Sequence, residues 1–133
     1  MTRPCFALDT NVLISALLQE DSIPAKALAK AEREGMVIYS YPTLTELLRV
    51  LSRPKFLRYI SPEDVEGFMA RIHRAWNLVH VTHQIRACRD EKDDMFLELA
   101  VNGDAKTLIS GDNDLLSLSP FRGIEILTPA AFV

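Results

Sequence analysis

Short apolar runs alternate with amphipathic stretches along this chain. Cys5-Phe6-Ala7-Leu8, Met36-Val37-Ile38-Tyr39, Leu78-Val79-His80-Val81, Thr107-Leu108-Ile109-Ser110 and Ile124-Glu125-Ile126-Leu127 each have the length and content of a buried strand. The stretches between them have helical spacing. Asp9 or Thr10 can cap a helix running to Leu18. A second helix spans Pro24 to about Glu34, with proline in its first turn and Gly35 as its stop. Pro42 ends the second apolar run, and Thr43-Leu44-Thr45-Glu46 matches a capping box. The helix it opens carries Leu47, Leu48, Val50 and Leu51 on its buried side and stops at Pro54. Ser61-Pro62-Glu63-Asp64 starts a helix that reaches about Trp76. Phe96, Leu97, Ala100 and Val101 define one more across Asp93–Val101, closed by Gly103.

Strands of four residues separated by helices favour parallel pairing, with both sheet faces covered. The predicted fold is α/β: a three-layer α/β/α sandwich around a central, mostly parallel sheet of about five strands. One domain is expected to span residues 1–133. Sheets of this kind bind ligands beyond the carboxyl ends of their strands. The residues directly after each apolar run therefore carry the most information.

Composition narrows the class. Hydrophobic residues make up 48% and charged residues 25%, which is ordinary for a globular chain and excludes disorder. Cys5 and Cys88 are the only cysteines and form no zinc or disulfide pattern. No apolar run approaches the ~20 residues of a membrane span. The apolar start is interrupted by Asp9 and Asn11 and lacks the cleavage site of a signal peptide. These features predict a cytoplasmic, reduced protein with no membrane association. The net charge of −3 conceals a contrast: residues 49–89 carry +5 and residues 90–114 carry −6. An acidic centre flanked by a basic segment can serve a polyanion even when the whole chain is acidic.

The acids fall where the fold would place a site. Asp9 follows the first strand, and Asp112 and Asp114 follow the fourth. Glu46 and Asp94 lie in first turns of helices that could face the same sheet edge. Each has a local alternative as a helix cap or turn residue. As a group they cannot all remain ionised without a cation, because two carboxylates about 4 Å apart repel by about 4 kcal/mol at an effective dielectric near 20. Oxygen donors without histidine or cysteine select Mg²⁺ or Mn²⁺. His73, His80 and His83 do not sit at strand ends. A haloacid-dehalogenase-like phosphatase would need an acid where Asn11 stands, and a receiver domain would need a lysine where Thr128-Pro129 stands.

Asp-Thr-Asn-Val-Leu-Ile-Ser-Ala at 9–16, Thr-Glu-Leu at 45–47, Asp-Asp-Met-Phe-Leu-Glu-Leu-Ala at 93–100 and Ile-Ser-Gly-Asp-Asn-Asp-Leu-Leu at 109–116 resemble the PIN-domain ribonucleases. The resemblance is greatest to the VapC-like toxins of bacterial toxin–antitoxin pairs. It implies a metal-dependent, single-strand endoribonuclease with Asp9, Glu46, Asp94 and Asp112 in the four acidic places. Asp9, Asp94, Asp112 and Asp114 would hold Mg²⁺ or Mn²⁺, supported by Asn11, Ser110 and Glu98. Between Asp93 and Asp94, the packing of Phe96, Leu97 and Ala100 favours Asp94. Arg49, Arg53, Lys55 and Arg58 follow Glu46 and are expected to hold RNA at the rim. The implied partners are an RNA substrate, a cognate antitoxin and a second copy of the chain, the last through the helices of residues 12–34 and 42–53. A non-catalytic PIN-like module that binds RNA or protein is the alternative.

Overall fold

The computed structural model describes residues 3–133. Five strands form one parallel sheet: β1 (Cys5–Leu8), β2 (Met36–Tyr39), β3 (Asn77–Leu78), β4 (Thr107–Ile109) and β5 (Glu125–Leu127). Their order across the sheet is β3-β2-β1-β4-β5. In register, Phe6 stands beside Val37 on one side and Thr107 on the other. The helices are α1 (Thr10–Leu18), α2 (Ile23–Glu34), α3 (Tyr41–Leu51), α4 (Pro54–Leu57), α5 (Pro62–Ala75), α6 (Asp94–Asn102), α7 (Asn113–Leu116) and α8 (Pro129–Phe132).

The two-residue period of the strands divides the core into two halves. Phe6, Leu8, Val37, Tyr39 and Ile109 pack with α1, α2, α3, α5 and α8 through residues such as Leu13, Leu28, Leu47, Ile72 and Phe132. Ala7, Ile38, Leu108 and Ile126 face the opposite way, onto Leu97 and Leu99 of α6 and Leu115 of α7. This is the expected α/β/α sandwich. Glu32 pins α5 to α2 by accepting from Trp76 Nε1 at 2.9 Å and from the Arg71 guanidinium. Gly35 lets β2 begin against the preceding chain, since a Cβ there would collide with the Pro4 carbonyl oxygen.

Two local expectations are corrected. The helix over 42–53 opens with Ser40, not Thr43. The Ser40 amide donates to Thr43 Oγ1 at 3.0 Å, and the Thr43 amide donates to Ser40 Oγ at 3.4 Å. Pro42 therefore belongs to the first turn of α3, where its missing N–H costs nothing. Glu46 is then freed from capping and projects from the second turn. The third strand is also shorter than 78–81. After Val79 donates to the Tyr39 carbonyl, the chain leaves the sheet edge. Asn102 holds it there by accepting from the Thr82 and His83 amides at 3.0 Å each.

The chain reverses its direction of build-up between β1 and β4, and a crevice opens where such a reversal occurs. Asp9 leaves the carboxyl end of β1 and Ser110 that of β4.

Candidate active site

Asp9 caps α1, accepting from the Val12 amide at 2.9 Å, and its other oxygen accepts a short hydrogen bond from Ser110 Oγ. Ser110 is fully buried and accepts in turn from the Asp112 amide at 3.0 Å. One hydroxyl thus ties the two central strand ends together. Burial pushes the Asp9 carboxyl up from its ordinary value, against the pull of the Ser110 and Val12 hydrogen bonds. Asp112 caps α7 by accepting from the Asp114 amide at 3.2 Å.

These ends open into a cleft of about 480 Å³ whose lining includes Asp9, Asn11, Glu46, Asp93 and Asp112. Arg49, Arg53 and Lys92 line the same cleft. Oxygen atoms from Asp93, Asp112 and Asp114 lie within 4.8 Å of one another. Crowding appears in the titration of Asp93, which is pushed up to about 7 by burial, by a hydrogen bond with Asp112 and by the charges of Asp112, Asp90 and Asp114. Thr10 adds a buried hydroxyl with no partner among the described residues. Glu46 faces the acids from α3 in a two-pronged pair with Arg49, Nη2 at 2.6 Å and Nε at 3.1 Å. That pair holds the Glu46 carboxyl below its usual range. Such a donor set, all oxygen and concentrated in charge, suits a hard divalent cation.

Asp94 lies elsewhere. It is 7% exposed, and one oxygen accepts from the Ala87 and Cys88 amides at 3.0 and 2.8 Å. Burial opposes its ionisation, but these hydrogen bonds prevail and draw its carboxyl below the ordinary value. Glu98, one turn on, accepts from the Ile85 amide at 3.2 Å. Both line a separate cavity of about 450 Å³. The expectation that Asp94 and Glu98 face the acidic cluster is therefore corrected. Residues three or four apart share a helix face: Asp93 aligns with Phe96, which lines the cleft, whereas Asp94 aligns with Glu98. Asp93 makes no side-chain cap bond to α6, so its carboxylate is free to reach Asp112.

Of the basic residues expected at the rim, Arg49 and Arg53 line the cleft, while Lys55 and Arg58 lie beyond it on and after α4. Sequence reasoning weighed Asp93 against Asp94 and chose Asp94, and it missed Asp90, Lys92 and Thr10 as cleft residues. The adjacent pair Asp93-Asp94 was the available signal, and the two amides that the preceding loop brings to Asp94 decide which member turns inward.

The family model of the PIN domain matches residues 6–114. The chain belongs to the PIN domain family. Members of that family are typically nucleases, which makes the chain an enzyme of nuclease kind. The Methanocaldococcus jannaschii protein MJ1680 is 32% identical over 114 residues, covering 84% of this chain and 72% of its own. Two solved structures share the PIN fold. VapBC2 of Rickettsia felis, bound to a DNA fragment from its promoter, matches with a TM-score of 0.64 at 15% identity, over 92% of this chain and 98% of that one. PAE2754 of Pyrobaculum aerophilum matches with a TM-score of 0.61 at 12% identity, over 97% and 87% respectively. Among the described residues of this PIN domain, no helix is long and apolar enough to cross a membrane.

Proposed function

We propose that this PIN domain is an Mg²⁺- or Mn²⁺-dependent single-strand endoribonuclease and acts in the cytoplasm as the toxin of a type II toxin–antitoxin pair. The observation that carries the reading is the trio Asp93, Asp112 and Asp114, set beside Asp9 at the crevice between β1 and β4. Asp9, Asp93, Asp112 and Asp114 are the residues that would hold the ion. A bound hard cation supplies neutralisation of phosphodiester charge and a water of lowered pKa.

The chain's own groups do the rest. Ser110 and the Val12 amide fix both oxygens of Asp9, so the carboxylate keeps one orientation. Glu46, across the cleft, would accept a proton from an attacking water once Arg49 turned from it to a phosphate, and Asn11 lines the same wall. Arg49 and Arg53 meet phosphates at the rim, with Lys55 and Arg58 extending the cationic path. Phosphate contacts of this kind position a strand without reading its sequence.

An antitoxin partner fits the same electrostatics. A cationic side chain from it would occupy the carboxylates in place of the metal. The likeness to VapBC2 supports such a partner. A second copy of the chain would dock on the helices of residues 12–34 and 42–53, where Leu18, Ile23 and Leu48 are exposed.

The test is cleavage of a fluorescent single-stranded RNA by purified protein with Mn²⁺, with EDTA, and by the Asp112→Asn variant. Cleavage that needs Mn²⁺ and Asp112 is expected. Absence of Mn²⁺-dependent cleavage by folded protein would refute the nuclease assignment, and RNA binding without cleavage would favour a non-catalytic module.

A further inference from the structure

The segment leaving the cleft after α3 has an unusual surface. Arg53, Lys55, Leu57, Arg58 and Tyr59 are all exposed, while Phe56 is half-buried and Ile60 is buried. The two inward residues, four apart, are joined by the Ile60 amide donating to the Phe56 carbonyl at 2.9 Å. They clamp the turn onto the core, so its outward face is presented by a fixed backbone. Tyr59 is 74% exposed and Leu57 56%, the two highest values among the large exposed apolar side chains apart from Tyr41. Exposed apolar side chains grouped on one face mark an interaction surface, as isolated ones do not.

The surrounding charge is of one sign. Residues 52–60 contain Arg53, Lys55 and Arg58 and no acid. None of the three basic groups forms an ion pair among the described residues. Lys55 is held over the Phe56 ring at 4.9 Å, which orders the ammonium without neutralising it. Arg53 connects this face to the acidic cleft, because it lines that cleft itself. Aromatic rings interleaved with unpaired cations are the physical requirement for holding a single strand, the bases stacking and the cations following the backbone.

We propose that the outer face of residues 53–59 is a platform for single-stranded nucleic acid, with Tyr59 stacking on an unpaired base and Lys55 and Arg58 contacting its flanking phosphates. The platform deepens the nuclease reading by adding the strand's route into the cleft, and it rests on that reading for its substrate class. A duplex cannot offer Tyr59 an unstacked base, so the platform also supplies a preference for single strands.

The test uses a 12-nucleotide single-stranded RNA carrying 2-aminopurine, with anisotropy and quenching read in EDTA and cleavage read separately in Mn²⁺. Tyr59→Ala and Tyr59→Leu should each weaken binding about tenfold and relieve the quenching, whereas Tyr59→Phe should bind like wild type. Leucine keeps apolar bulk without a π-face, which separates stacking from generic contact. Lys55→Gln with Arg58→Gln should flatten the salt dependence by about 0.7 per lost phosphate contact. Unchanged affinity and quenching in Tyr59→Leu would overturn the platform, and a changed mass in light scattering would then assign the face to a protein contact. Tyr59-dependent binding by a chain that cleaves nothing would uphold the platform while the nuclease reading fails. Intact cleavage with Tyr59-independent binding would do the reverse.

Discussion

Replacing Asp93 and Asp94 separately should give stability changes of opposite sign. Asp93 sits in a trio of carboxylates whose oxygens lie within 4.8 Å of one another. At that spacing one pair repels by about 3.5 kcal/mol at an effective dielectric near 20. Asp93 is only half-buried, so solvent screening reduces the recoverable part to about 1–2 kcal/mol. Its carboxyl titrates near 7 in the fold, above the ordinary value it has when unfolded. The folded state thus binds the extra proton, and stability from this group is full below the ordinary carboxyl value near pH 4 and is lost as pH rises from there to about 7. The stability advantage of Asp93→Asn over wild type should therefore grow between pH 5 and pH 8, by about 1–2 kcal/mol or roughly 3–8 °C in Tm.

Asp94 has the reverse sign. Its carboxyl is depressed, and its oxygen serves two backbone amides, those of Ala87 and Cys88. Asp94→Ala leaves both donors unpaired and should cost about 1–3 kcal/mol at pH 5 and at pH 8 alike. Metal response separates them again. A cation at 100 times its Kd stabilises a folded protein by about 2.7 kcal/mol. That Mn²⁺-induced rise in Tm should largely vanish in Asp93→Asn and persist in Asp94→Ala. Differential scanning fluorimetry at both pH values, with and without Mn²⁺, reads all four quantities. Loss of the Mn²⁺ response in Asp94→Ala with retention in Asp93→Asn would refute the assignment of Asp93 to the site.

Three further outcomes are expected. Asp9→Asn keeps an oxygen for the Val12 amide and removes a buried charge, so the fold should hold while Mn²⁺-dependent cleavage disappears; near-normal cleavage would remove Asp9 from the mechanism. Thr43→Ala should cost about 1 kcal/mol through the Ser40 cap without altering the cleavage rate, whereas Glu46→Gln should abolish cleavage at little cost in stability, and a rate near wild type would exclude Glu46 from the chemistry. Arg53→Ala should weaken RNA binding across sequences and lower the salt slope by about 0.7, measured by anisotropy titration; an unchanged slope would place the strand elsewhere.

The contrast between what was readable and what was not follows from the range of the interactions. β1, β2 and β4 announce themselves because strands buried on both faces must be largely apolar, a property of consecutive residues. Asp9 and Asp112 were legible for the same reason, since Asp9 directly follows such a run and Asp112 comes within three residues of the end of another. The Ser40 cap was hidden because two hydroxyl residues three apart, Ser40 and Thr43, overlapped a second match at Thr43 and Glu46. Only the entry of the chain from β2 chooses between them.

The orientation of Asp93 and Asp94 is a harder case. Both positions suit a helix start, and the apolar residues of α6 are compatible with either facing the cleft. What decides is the path of residues 79–90, a stretch without apolar periodicity, which brings two amides to Asp94. An ionised buried carboxylate is stable only where such donors are present. Once the loop supplies them, Asp94 is committed to holding backbone, and its neighbour is left at the cleft with Asp112 and Asp114. Of these two neighbours, the acid left without backbone donors is the one that reaches Asp112 and Asp114. Glu98 is engaged in the same way as Asp94, by the Ile85 amide. Glu46 is engaged by the Arg49 guanidinium on both oxygens, so a phosphate that drew Arg49 away would free it.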